Sequence, residues 1–132
     1  MAQSLLLDTD LLIDFLRGHR QAVAFMEQET RPMGVSALTV AELHAGVRDG
    51  KESDQLTELL SIFSQIPVDP ETAVEGGLFR RDFGPSHGTG LIDAILAATA
   101  LKHGLRLVTL NDKLSHAAGS YRPVPQAMTR PS

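Results

Sequence analysis

Cysteine is absent from all 132 residues, so the chain has neither disulfides nor a thiolate zinc site, and nothing argues for an oxidising compartment. No apolar run approaches the ~20 residues that a membrane span requires. Residues 1–7 lack a basic start and are too short for a signal sequence, so the expectation is a cytoplasmic protein with no membrane partner. A cationic excess is missing as well: Lys and Arg number 12 against 16 Asp and Glu, a formal charge of -4. Phosphate binding normally shows as a surplus of Lys and Arg, which argues against strong non-specific association with nucleic acid. Internal repeats and low-complexity segments are also lacking. What remains has the length of one domain, expected over residues 1–132, with 125–132 as a flexible, Pro-containing tail.

Hydrophobic periodicity and local signals divide the chain into alternating strands and helices. Residues 5–8 read as a short buried strand, 10–17 as a helix ended by Gly18, 21–29 as a second helix and 33–35 as a strand. Ser36 is placed to cap a helix running through Val47 and stopped by Gly50. Leu56, Leu59, Leu60 and Phe63 make residues 52–63 an amphipathic helix. A strand over 66–68 follows, and Asp69-Pro70-Glu71 starts a helix expected to reach about Arg81. Residues 84–90, with Pro85 and three glycines, read as a loop. Residues 91–103 form a helix closed by Gly104, 105–109 a strand, 111–117 a helical turn and 122–124 an edge strand. This alternation indicates an α/β fold, a three-layer α/β/α sandwich around a central, mainly parallel sheet.

A few acids stand where packing would want hydrocarbon. Taking a carboxylate out of water costs several kcal/mol unless something positive compensates it. Asp8 ends the run Leu5-Leu6-Leu7 at a strand terminus, where open α/β sheets bind ligands. It fits a ligand or the cap of the helix that follows. Glu42 is the sole acid in its segment. It shares a helical stripe with Ser36 and Thr39 and fits either a site or a solvent-facing edge. Asp93 has Leu96, Ala97 and Ala100 as helical neighbours and no polar stripe, so it needs a neutralising partner, a cation or a buried Arg. Asp112 fits a ligand or a turn, Asn111 competes with it, and Thr109 is placed to bring a hydroxyl near a metal or phosphate. Asp10 and Asp14 read as surface acids, and His44 as a structural histidine or a ligand.

Carboxylates converging from a strand end, two helices and a late turn favour Mg²⁺ or Mn²⁺, which prefer oxygen donors. Zinc is disfavoured by the lack of cysteine and of paired histidines. Setting four ligands aside would leave twelve acids against twelve Lys and Arg, a balanced surface with Arg17, Arg48 and Arg80-Arg81 as the local supply for phosphate contacts. The chemistry implied is phosphodiester hydrolysis by a metal-activated water.

The segments LDTDLLID at 7–14, SALTVAEL at 36–43, LIDAILAATA at 91–100 and LVTLNDK at 107–113 resemble the four signature segments of a PIN domain. More narrowly, the chain is similar to the VapC toxins of type II toxin–antitoxin systems, from residue 5 to about 124. The resemblance implies a Mg²⁺- or Mn²⁺-dependent endoribonuclease acting on RNA. It implies a homodimer silenced by a cognate VapB-like antitoxin in a higher hetero-oligomer. Asp8, Glu42 and Asp93 match the family's acidic positions. Its fourth position falls two residues after the threonine, on Asn111, and is often followed by an aromatic residue. Here Leu114 and Ser115 stand instead, so Asn111 and Asp112 share that role. The resemblance makes Asp8 and Asp93 direct metal ligands and gives Glu42 a second ion or the attacking water, with Thr9 and Thr109 in support.

Two other readings exist. The opening Leu-Leu-Leu-Asp8-Thr9-Asp10 also resembles haloacid-dehalogenase-type phosphatases, in which the first Asp is a nucleophile. That pattern wants Thr or Val two residues after the second Asp and a late pair of acids, which Leu12 and the single Asp93 do not supply. The other is a catalytically inactive PIN-fold binding module whose acids are caps and surface charge.

Overall fold

The computed structural model describes residues 3–87 and 90–109. Four strands, β1 (Leu5–Leu7), β2 (Met33–Ser36), β3 (Ser64–Ile66) and β4 (Arg106–Val108), form a sheet in the order β3-β2-β1-β4, with every pairing parallel. The chain steps from β1 to β2 to β3 toward one edge and then returns to β4 on the far side of β1. The crossovers therefore diverge between β1 and β4, and that switch point leaves a crevice above the carboxyl ends of the two strands.

Side chains alternate across the sheet, and the two faces receive different helices. Leu5, Leu7 and Val35 on one face pack with α1 (Thr9–Leu16), α2 (Arg20–Gln28), α3 (Ala37–Gly46) and α4 (Lys51–Leu60), through Leu11, Leu12, Ala22, Leu43, Leu56 and Leu60. On the other face Leu107 packs with Phe79 of α5 (Pro70–His87) and with Ala94 and Ala97 of α6 (Leu91–His103). The result is the expected three-layer α/β/α arrangement. Leu5, Leu6 and Leu7 are all fully buried, as a central parallel strand covered on both sides requires.

The last two helices lie unusually close. A Cβ built on Gly76 would sit 2.9 Å from the Ile95 Cα, so only a residue without a side chain lets α5 approach α6 at this crossing. Asp69 caps α5 through the Thr72 N–H at 2.8 Å, and Lys102 near the end of α6 donates to its other oxygen at 2.5 Å. Each partner stabilises the other's charge: the Lys102 ammonium and the Thr72 N–H hold the Asp69 carboxyl well below the usual range. Gly104 closes α6 in the left-handed region at φ 65°.

Several boundaries differ from expectation. The segment read as a loop over 84–90 is helical as far as His87, because Phe79 and Phe83, one turn apart and edge-to-face at 5.2 Å, pin the end of α5 to the second core. β3 is Ser64–Ile66 rather than 66–68; it is set by its pairing with β2, where Gly34 leaves room for the Ile66 side chain. α3 ends at Gly46 because Val47 turns extended and packs into the core, and Gly50, at φ 87°, instead precedes α4. α4 ends at Leu60, although Phe63 is still buried. The helical turn expected at 111–117, the edge strand at 122–124 and the tail at 125–132 lie outside the described residues.

Candidate active site

Asp8 follows β1 directly and occupies the N-cap position of α1, with extended backbone at φ -76° and ψ 153°. Its side chain nevertheless makes no capping hydrogen bond. Instead Oδ2 accepts from the Thr109 hydroxyl at 2.5 Å, and the Asp8 N–H donates to the Val108 carbonyl at 3.0 Å. Thr109 follows β4, so this contact spans the crevice at the switch point and joins residues 101 positions apart. The Asp8 backbone thus begins α1 while its carboxylate reaches Thr109 beyond β4. Asp8 is 2% exposed, and burial pushes its pKa up; the Thr109 hydroxyl pulls it part of the way back, and the Asp10 and Glu42 carboxylates raise it again.

Glu42 extends from α3, beyond the end of β2. Ser36 caps that helix, accepting from the Leu38 N–H at 3.1 Å, which fixes where α3 begins and thereby the position of Glu42. Thr9 donates to Glu42 Oε1 at 2.6 Å, and Thr9 and Thr39 place their hydroxyl oxygens 3.1 Å apart. Ser36 and Thr39 are fully buried, so the stripe that allowed a solvent-facing edge turns inward and only Glu42 at its end is exposed.

Asp93 lies in the first turn of α6, where the helix dipole favours a negative charge. Burial works against that charge, and so do Asp8, Asp10 and Glu42; together they push its pKa up to about 6. These couplings bring Asp8, Glu42 and Asp93 to one locality. They also bring in Asp10, which sequence reasoning had assigned to the surface. It is exposed, yet it lies within electrostatic reach of both Asp8 and Asp93. Its position two residues past a strand-end acid was the signal. Thr39 is the other residue that sequence reasoning missed.

Asp14 pairs with His19 at 3.2 Å on the surface, as expected. His44 is exposed, with Nδ1 2.8 Å from the Val40 carbonyl of its own helix. Asn111 and Asp112 lie outside the described residues. Beside Glu42 a cleft of about 510 Å³ opens between α1, α3 and α4, with Ile13, Leu16, Leu43 and Val47 on its walls and Arg17 and Arg48 in its lining.

Among the described residues no three Asp, Glu or His side chains are arranged to hold one ion by themselves. That does not conflict with Mg²⁺, which is commonly met by one or two carboxylates and keeps several waters. The donor chemistry fits: all-oxygen, desolvated at Asp8, and carrying mutual repulsion that a cation would relieve.

A parallel sheet with carboxylates gathered over its switch point defines the class. The chain belongs to the PIN domain family, whose profile matches residues 5–120. Among curated proteins it is similar to Ribonuclease VapC10 of Mycobacterium tuberculosis, 34% identical over 110 residues that cover 81% of this chain and 82% of the relative. Among solved structures it resembles a toxin-antitoxin complex from Klebsiella pneumoniae, with TM-score 0.71, 30% identity and coverage of 81% of this chain and 86% of that one. FitAcB from Neisseria gonorrhoeae is similar too, with TM-score 0.71, 29% identity and coverage of 87% and 93%. Membership of this family sets the haloacid-dehalogenase reading aside.

Proposed function

We propose that the chain is a Mg²⁺- or Mn²⁺-dependent endoribonuclease, the toxin of a VapBC-like toxin–antitoxin system, acting in the cytoplasm as a single domain. The observation that carries this reading is Asp8: a buried carboxylate that leaves its capping role to face a crevice shared with Asp93 and Glu42. The similarity to Ribonuclease VapC10 supports RNA as the substrate, and the similarity to toxin-antitoxin complexes supports a VapB-like antitoxin as partner.

Asp8 and Asp93 would hold the ion, with Asn111 or Asp112 completing the shell. When bound, the ion supplies an activated water and neutralises charge at phosphorus during in-line displacement. Glu42 orients the attacking water or carries a second ion. Thr109 fixes Asp8 by donating to its Oδ2, and Thr9 holds Glu42 by donating to its Oε1. The cleft beside Glu42 combines apolar walls with Arg17 and the Arg48–Glu52 pair, which suits an amphipathic antitoxin segment whose path ends at the acids. The toxin would form a homodimer, and antitoxin binding a higher hetero-oligomer.

The deciding experiment incubates purified protein with total RNA, with Mg²⁺ or with a chelator, and maps the new ends. Discrete cuts that need the ion, and that Asp8→Ala and Asp93→Ala abolish, are expected. Cleavage that survives either substitution or the chelator overturns the metal-nuclease mechanism. Loss of all cleavage in the wild-type protein leaves the inactive binding module.

A further inference from the structure

Glu42 is exposed, and a glutamate carries three rotatable side-chain bonds whose ordering costs conformational entropy. It needs a fixed neighbour if its carboxylate is to keep one position. Thr9 supplies the contact at 2.6 Å, a length typical of a hydroxyl donating to an ionised carboxylate. A threonine hydroxyl has one proton to give and lone pairs to accept with, whereas an ionised carboxylate only accepts. The Thr9 proton therefore goes to Glu42, and at the 3.1 Å contact the Thr39 hydroxyl must be the donor to Thr9.

We infer that Thr39 is a positioning residue for Glu42, acting through Thr9 in the relay Thr39–Thr9–Glu42. Thr39 is fully buried and Thr9 is 6% exposed, so water does not readily replace either hydroxyl. Both are β-branched and helical, which restricts their side-chain rotamers before any hydrogen bond forms. Thr39 lies one turn before Glu42 on α3, while Thr9 opens α1, so the relay also fixes α1 and α3 relative to each other at the edge of the crevice.

The kinetic part of the inference rests on the ribonuclease reading; the positional part does not. Thr39→Val keeps the shape of the side chain and removes the donor, and Thr39→Ser keeps the donor. With RNA as substrate, kcat of Thr39→Val is expected to fall roughly tenfold, the rate equivalent of one net hydrogen bond, with KM nearly unchanged. Thr39→Ser should retain most of the rate, and Thr39→Val should cost nothing further in a Glu42→Gln background. An additive loss in that background, or a wild-type kcat in Thr39→Val, overturns the relay. Crystal structures of the same proteins decide the positional part without activity. Glu42 should hold one rotamer against Thr9 in wild type and Thr39→Ser and spread over several in Thr39→Val. An unchanged Glu42 overturns the inference, whereas a wild-type chain that leaves RNA intact refutes the nuclease reading alone.

Discussion

Asp93 has the most telling charge state in the molecule. Its pKa of about 6 lies above the ordinary carboxylate value, so between roughly pH 4 and 6 Asp93 holds a proton in the folded chain that it has lost in the unfolded one. The contribution of Asp93 to metal-free stability then falls as pH rises through that window and stays low above it, opposite in sign to those of Asp69 and Glu29. Asp93→Asn is expected to raise the melting temperature near pH 7 in chelator by a few degrees, with the difference closing below about pH 4 in a thermal melt. The same protonation competes with metal, so Mg²⁺-dependent cleavage should weaken as pH falls through about 6. Thr109→Val tests the other side of the crevice: it removes the donor to Asp8 and should cost about 1–3 kcal/mol in urea unfolding, together with most of the cleavage. Asp8 alone was ambiguous in the sequence, because strand-end acids cap helices as readily as they bind ligands. Its contact with Thr109, a residue 101 positions away, is one that no local pattern encodes.

At the level of elements, α5 and α6 carry a paired experiment. Gly76 faces α6, where a Cβ would come within 2.9 Å of Ile95 Cα, while a Cβ on neighbouring Gly77 meets nothing within 4 Å. Gly76→Ala should destabilise by about 1–3 kcal/mol through overpacking and displace the helix that bears Asp93. Gly77→Ala should stabilise by up to about 1 kcal/mol through helix propensity, both read from urea midpoints at constant slope. The helices were legible where amphipathic spacing and end signals agreed: Ser36 and Gly104 act as cap and stop, and residues 91–103 match α6. They were illegible where tertiary contacts override composition. Pro85 and the glycines around it look like a loop, yet the Phe79–Phe83 pair carries the helix past Gly84. β3 escaped for a similar reason, since its register comes from β2 and from space at Gly34.

For the molecule as a whole, the charge balance and the proposed ion act together. Anything that binds only the folded state stabilises it by mass action, so Mg²⁺ should raise the melting temperature of the wild-type chain and leave that of Asp8→Asn nearly unmoved in parallel melts. With a net charge of -4, and Arg17 and Arg48 beside the site, RNA binding should depend on salt less steeply than for a basic nuclease. The layered fold could be read from the chain alone, because buried runs are local, and Asp8, Glu42 and Asp93, singled out in the sequence, lie within electrostatic reach of one another. The inward turn of the Ser36–Thr39 stripe could not, since it depends on which helix face meets the crevice.

The adjacency of β1 and β4 sets a schedule for synthesis. The first described strand has a neighbour in the last, so during synthesis Leu5–Leu7 stays open on one side until Arg106–Val108 has emerged. Thr109 then reaches Asp8 at the same moment. A nascent or prematurely terminated chain ending before Arg106 would therefore hold Asp8, Glu42 and Asp93 without the frame that gathers them. On the ribonuclease reading, such partial chains are expected to be inactive.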